Sequence, residues 1–352
     1  MKVLFVDINT AGHHMIYFKS IMSLNFFEKV LVLPKINSSV TIKQYEIPSL
    51  SRNMTLSQYV RMLVSLRKIV KLEHPDIVHF LTGDMLYRFF GVGLSYLKCN
   101  IITTFHHVEL SFLKKISYRF IFAKIKYGVV HTKYIFDNLQ NINICNATHI
   151  EYPFLEKFDS YNRESLRTEF NIADNIKILL AFGDTRYDKG LDILLKSLNN
   201  VKIPFHLIIA GKPSYFSGKQ IEELTAAYTD KVSCFLYFIS DELMNKLFSV
   251  ADIVVLPYRK IFSGASGPLT AGVSLEKIII GPDYNSLGAL IKDNHLGYVF
   301  TPECIDSLKI AIESAVENDF DCDSFYKEYK NRISPKCFIK SYEHLYLTCK
   351  NY

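Results

Sequence analysis

Apolar residues along this chain follow two rhythms. Short continuous runs at residues 3–6, 30–33, 75–80, 100–105, 127–131 and 148–152 read as strands buried on both faces. Residues 15–24 and 56–72 instead carry apolar positions every three to four residues, the period of a helix packed on one face. Residues 35–55 are polar and irregular and predict no regular element. Strands alternating with helices predict a parallel, doubly wound sheet. The rhythm restarts after a polar, proline-containing stretch at 153–162, with runs at 178–182, 205–210, 232–237, 252–256, 278–280 and 297–300. Residues 320–352 read as helices. The pattern predicts an α/β chain of two doubly wound domains, 1–153 and 154–325, followed by a helical tail, 326–352.

Open parallel sheets bind ligands at the carboxyl ends of their strands, so the loops after each apolar run hold the candidate chemistry. The run 178–182 exits into Gly183-Asp-Thr-Arg186-Tyr-Asp-Lys189-Gly190, and an apolar helical pattern begins at Leu191. Strand, glycine-bounded loop and helix together aim backbone N–H groups and a positive helix end at an anion. Arg186 and Lys189 add full charges suited to a diphosphate. Further along, Ser263-Gly-Ala-Ser266-Gly267 opens another helix, and Ser266 and Thr270 offer hydroxyl groups beside it. Read without their neighbours, these loops are also compatible with ordinary turns carrying solvated side chains.

The order and spacing of five segments in the second domain resemble one known family. They are Gly183-x-x-Arg186-x-x-Lys189-Gly190; Leu207-Ile-Ile-Ala-Gly211-Lys-Pro; Ser240 to Arg259, with Ala251-Asp-Ile-Val-Val-Leu-Pro257-Tyr258; Ser263 to Gly267; and Ile278-Ile-Ile-Gly-Pro-Asp283. Together they resemble the donor half of retaining glycosyltransferases of the GT-B fold, family four (glycosyl transferases group 1). The resemblance implies two Rossmann-like domains facing a cleft, with the tail packing back toward the first. It implies a nucleoside diphosphate sugar bound by Gly12, Gly183, Arg186, Lys189, Ser263, Ser266, Gly267 and Thr270. Tyr237 and Phe238 would lie near the base, although both residue types are also common in cores. In the first domain, Thr104-Phe-His106-His107 matches the family's Thr-x-His. The resemblance places His106 against the transferred sugar, with His13 and His107 on the acceptor side. Imidazole can hydrogen-bond a sugar hydroxyl with little fixed charge. His79 and His131 end apolar strands and read as core histidines. Many members carry two glutamates eight apart where this chain has Ser263 and Ala271, which leaves donor identity open.

Bulk properties narrow the picture. A net charge of +6 suits anionic ligands or an anionic membrane and is too small to argue for nucleic acid. Seven cysteines stand singly with no CxxC pair, the pattern of free thiols in a reducing compartment. Neither a signal peptide nor a membrane span is expected, so the reading is cytoplasmic. No metal-ligand spacing stands out, and no cofactor beyond the co-substrate is expected. Residues 111–128 carry five basic residues, no acidic ones and many aromatics. They read either as a helix lying on an anionic membrane surface or as a buried helix whose lysines reach out to water.

These features point to a glycosyltransferase that passes a sugar from a nucleoside diphosphate to a glycan or lipid-linked acceptor. By resemblance it does so with retention, as in bacterial surface polysaccharide synthesis, peripheral on the inner membrane face. Arg186, Lys189 and His106 would carry the chemistry. A nucleotide-sugar epimerase of the same fold, or a non-catalytic nucleotide-sugar-binding protein, are the alternatives. A dehydrogenase is disfavoured because neither domain has Gly-x-Gly-x-x-Gly after its first strand.

Overall fold

The structure, a computed structural model, describes all residues except 9–12, 25, 39, 109–110, 155–157, 174, 263 and 351–352. Side chains at 13–16, 19 and 350 are likewise outside the description. The chain divides into two compact units: Met1–Leu155 with Ser263–Ala265 and Pro335–Tyr352, and Glu156–Phe262 with Ser266–Ser334.

The first unit holds seven parallel strands: β1 (Lys2–Val6), β2 (Glu28–Leu33), β3 (Lys43–Glu46), β4 (Ile77–Phe80), β5 (Asn100–Phe105), β6 (Tyr127–Val130) and β7 (Ala147–His149). Their order is β3-β2-β1-β4-β5-β6-β7. The apolar runs become the central strands because both faces are covered, as the buried Val3, Leu4, Phe5 and Val6 of β1 show. β3 falls where the sequence predicted no element. It is a four-residue edge strand, Lys-Gln-Tyr-Glu, with no fully buried position. Its hydrogen bonds to β2 come from tertiary placement and leave no apolar run to read.

The second unit holds six parallel strands: β8 (Lys177–Phe182), β9 (Phe205–Ala210), β10 (Val232–Phe235), β11 (Ile253–Val255), β12 (Ile278–Pro282) and β13 (Gly297–Phe300). Their order is β10-β9-β8-β11-β12-β13. β10 ends at Phe235 and not at Tyr237, so Tyr237 and Phe238 stand on the exit loop.

The helical tail splits between the units. The helix Ser324–Arg332 belongs to the second: Tyr326 is fully buried and donates its hydroxyl to the Lys277 carbonyl at 2.7 Å. The helix Pro335–Lys350 belongs to the first, where Phe338, Tyr342, Leu345 and Tyr346 cover one face of the sheet beside Phe5, Ile77 and Ile102. Each such apolar side chain contributes about 1.5–3 kcal/mol by leaving water.

Beneath that helix lies a buried polar network. His79 is hydrogen-bonded at Nδ1 to the Tyr346 hydroxyl (2.7 Å) and at Nε2 to Thr104 Oγ1 (2.9 Å). His131 pairs with the Ile150 carbonyl at 2.9 Å and the Tyr17 hydroxyl at 3.3 Å. Both histidines are therefore satisfied core groups. Burial pushes His79 down to about 3, against about 6.5 in an unfolded chain. Between those values the unfolded state binds a proton that the folded state refuses, so stability falls as pH falls below about 6.5. Moving from pH 7 to pH 5 is expected to cost the first unit about 2 kcal/mol through this residue alone. His79→Gln should flatten that dependence in melting curves; an unchanged slope would refute it.

Candidate active site

The loop 183–190 lies between β8 and a helix, at the carboxyl end of the strand, as the sequence order predicts. Gly183 follows the strand at φ +115°, and a Cβ there would sit 2.1 Å from Lys189 Nζ. The Lys189 ammonium thus occupies the space that a side chain at 183 would fill. Gly190 closes the loop at φ +61°, and a Cβ there would sit 2.1 Å from the Pro257 carbonyl oxygen. Only glycine combines that dihedral with so close an approach. The helix Leu191–Leu198 starts immediately after.

Lys189 Nζ lies 5.8 Å from the Tyr258 ring centroid. Tyr258 is buried, with its hydroxyl 3.3 Å from Ser266 Oγ. A small cavity of about 20 Å³ opens here, lined by Gly183, Asp184, Lys189, Pro257 and Tyr258 among others. That is room for about one water, so a diphosphate would rest on its mouth. Arg186 is half exposed and is gripped by its neighbour. Its Nε donates to Asp188 Oδ1 at 2.9 Å, and its second nitrogen makes a short contact to Oδ2. The hydrogen bond to Asp188 holds the guanidinium pKa up. Burial pushes Asp188 up, but Arg186 lowers it on balance, so the pair is ionised. A second pair braces the loop: Arg259 makes a two-pronged contact with Asp192 (3.0 and 2.9 Å) and stacks 4.1 Å over the Tyr187 ring. The sequence reading assigned no role to Asp188 or Asp192. Their spacing from the arginines was visible, but their partner choice was not.

The helix Gly267–Ser274 begins at Ser266, whose Oγ accepts the Leu269 N–H at 3.3 Å. Thr270 is buried and donates its hydroxyl to the Gly267 carbonyl at 3.1 Å. Both hydroxyls take part in closing the first turn of this helix. Ser263 lies outside the described residues. Ala271, where many family members have a glutamate, is buried. Tyr237 and Phe238 are 52% and 71% exposed, and Lys212 Nζ stands 5.0 Å over the Phe238 ring. They are not core residues, and they offer open aromatic faces to a planar group.

In the first unit His106 follows β5 directly. Its Nε2 is 2.8 Å from the Leu81 carbonyl, which accepts a hydrogen bond from that nitrogen. The ring packs against Tyr17 (5.6 Å) and His131 (5.2 Å). Asp84, from the loop after β4, fixes the backbone beneath it. Its two carboxylate oxygens accept the N–H groups of His106 (3.3 Å) and His107 (3.1 Å). Burial pushes the Asp84 carboxyl up, while those bonds and His107 favour the anion. Asp84 is a positioning residue that the sequence reading missed; its place on a strand-end loop was the available signal. His107 is half-buried, and its carbonyl accepts the Tyr87 hydroxyl at 3.0 Å. Gly12 and the His13 side chain lie outside the described residues.

Comparison with known proteins follows the same division. Residues 162–332 match the family described as Glycosyl transferases group 1. The second unit carries a glycosyl transferases group 1 domain. Over 126 residues the chain is 29% identical to a GDP-mannose:glycolipid 4-beta-D-mannosyltransferase from Xanthomonas campestris pv. campestris. That match spans 36% of each chain, a little over a third of the relative's length. Solved structures extend the likeness of fold to both units. A glycosyltransferase from Rickettsia africae aligns over 99% of this chain and 98% of its own, with TM-score 0.79 and 16% identity. The Anabaena protein HepE, solved in complex with UDP, aligns over 99% and 100%, with TM-score 0.78 and 13% identity. The two parallel sheets, of seven and six strands, are those of the GT-B fold. Among the described residues no group of three or more His, Cys, Asp or Glu is placed to hold a metal ion. Nor, among them, is any helix long and apolar enough to cross a membrane.

Proposed function

We propose that the protein is a glycosyltransferase that moves a hexosyl group from a nucleoside diphosphate sugar to a glycan or lipid-linked acceptor, in bacterial surface polysaccharide synthesis. The observation that carries this is the placement of Lys189 over Gly183, beside Arg186 and a helix start, at the carboxyl end of β8. Departure of the nucleoside diphosphate breaks the bond from sugar C1 to phosphate oxygen and leaves negative charge on that oxygen. Lys189 and Arg186 stabilise the charge as it develops. The acceptor hydroxyl oxygen then bonds to C1, and its proton passes to the departing diphosphate. The half-exposed His106 would hydrogen-bond the sugar. The Xanthomonas relative, named for GDP-mannose and a glycolipid, supports the donor and acceptor classes.

Retention is the outcome that the phosphate-loop resemblance implies, and it is the reading proposed. Inversion is the second reading. The relative's name specifies a β-mannosyl product, and the sugar of GDP-mannose is ordinarily α-linked. The one-bond C1–H1 coupling of the first-formed product separates the two.

The test of donor class is a thermal shift with UDP, GDP, ADP and CMP, each with and without EDTA. A ligand at 100 times its dissociation constant adds about 2.7 kcal/mol. One of the four should stabilise the protein, and EDTA should leave the shift in place, because the two cations meet the phosphate charge. No shift with any nucleotide would overturn the reading.

The proposed setting is the cytoplasmic face of a membrane. Along the helix Phe112–Phe122, Ser117, Tyr118, Ile121 and Phe122 are buried, while Phe112 (77%), Leu113 (68%) and Phe120 (54%) are exposed. Between residues 85 and 126 the sequence has seven Lys or Arg and a single carboxylate side chain, Glu109. Aromatic groups beside basic ones suit an anionic bilayer surface. Changing Lys114, Lys115, Arg119, Lys124 and Lys126 to glutamine should weaken binding to anionic liposomes by about 1 kcal/mol per charge near the surface. Unchanged partitioning would leave the helix as a packed element only.

A further inference from the structure

A groove of about 440 Å³ runs between the edge strand β7 and the helix Pro335–Lys350, wholly within the first unit. Its lining shares no residue with the loop 183–190, and no step of the proposed transfer uses it. Its size falls in the range of small-molecule sites, about 300–1,000 Å³.

The lining has a definite polarity. Lys340, His344 and His149 supply nitrogen, and no Asp or Glu lines the groove. Glu151 Oε2 lies 3.4 Å from His149 Nε2, so that histidine already faces an acid. Lys340, exposed on the helix beside the exposed His344, therefore carries the positive charge. Two hydroxyl groups are committed as donors. Ser341 Oγ gives its proton to the Cys337 carbonyl and Thr348 Oγ1 to the His344 carbonyl, each at 2.9 Å. What those oxygens still offer is lone pairs, which accept hydrogen bonds from a ligand's own O–H groups. Thr148, Tyr127, Ile150 and Leu345 complete the lining, the last three with apolar surface.

A fitting ligand thus carries an anionic group, several hydroxyl donors and a C–H face. We propose that this groove is a second binding site, for an anionic carbohydrate. Inorganic phosphate lacks the C–H face and the array of hydroxyls, and a neutral sugar lacks the charge. The anion can be a phosphate ester or a sugar carboxylate, since Lys340 and His344 recognise both.

The test uses the full chain and the side-chain nitrogen NMR signals of His149 and His344. Glucose 6-phosphate, glucuronate, glucose and inorganic phosphate are titrated separately. At least one anionic sugar should shift these signals saturably, and at least tenfold more tightly than glucose or phosphate; which of the two does so identifies the anion. Lys340→Gln and His344→Gln should each weaken that binding about tenfold, as loss of a charge-assisted contact does. Melting temperature and nucleotide affinity should not change. The proposal is overturned if neither anionic sugar saturates the signals, if phosphate alone binds equally well, or if the two variants bind as wild type does. Arg186→Ala serves as control: it should leave this binding intact, which separates failure here from failure of the donor-site reading.

Discussion

Replacing Arg186 and Lys189 together by alanine is expected to reduce transfer by at least about a hundredfold while leaving the fold in place. Each charge-assisted phosphate contact contributes roughly 1.5–3 kcal/mol, or about tenfold to a hundredfold in rate. The two residues should not count equally. Arg186 is already paired with Asp188, so phosphate must displace a carboxylate to engage it, and the net gain is smaller. Lys189 lies over Gly183 at the mouth of the cavity, and among the described residues no carboxylate is within ion-pair distance of it. Lys189→Ala should therefore be the more damaging single change. Neither side chain is buried in the core, so melting curves should stay near wild type. Turnover assays on the two single variants and the double variant check this. A double variant with wild-type turnover would remove the loop from the chemistry.

His106→Ala is expected to lower kcat by about tenfold to a hundredfold, the value of a hydrogen bond strengthened in the transition state. Affinity for the bare nucleotide should stay the same, because the nucleotide has no sugar for the histidine to touch. The structure sharpens this test. His106 also bonds to the Leu81 carbonyl and packs on Tyr17 and His131, so alanine should cost about 1 kcal/mol of stability as well. A fall in melting temperature alone is thus uninformative, and the split between kcat and nucleotide affinity decides. Asp84→Asn gives a parallel reading. An amide places an N–H₂ where one carboxylate oxygen accepted a backbone N–H, so it should loosen the His106–His107 backbone and lower kcat with His106 still present. Near-normal kcat in His106→Ala with a large loss of melting temperature would make the residue structural. Lowered kcat in Asp84→Asn beside normal kcat in His106→Ala would point to His107.

Much of this was legible in the sequence, for a physical reason. A strand buried on both faces must be a run of apolar residues, and a helix on such a sheet must repeat every three to four. Apolar runs placed twelve of the thirteen strands found among the described residues, edge strands β7 and β10 included. β3 escaped because an edge strand needs no apolar run. The loop Gly183 to Gly190 was legible because its geometry rests on residue type: Gly190 sits where a Cβ would strike the Pro257 carbonyl. His79 and His131 were read as core groups from their place at the ends of apolar strands, and both are buried and hydrogen-bonded.

What the sequence could not show was the choice of partners. That Ser266 and Thr270 also bond to their own helix end was not visible in their spacing. Tyr237 and Phe238 read either as contacts to the base or as core residues, and the end of β10 at Phe235 left them exposed. The tail read as one block, but buried Tyr326 ties its first helix to the second unit while Tyr342 and Tyr346 tie its last helix to the first. Nothing in the spacing of Asp84 from His106, or of Asp188 from Arg186, says that one carboxylate braces a backbone and the other holds a guanidinium. Periodicity and glycine placement are local constraints, written into neighbouring residues. Hydrogen-bond partners across loops depend on distances that exist only once the sheets are closed, and those the tertiary structure alone decided.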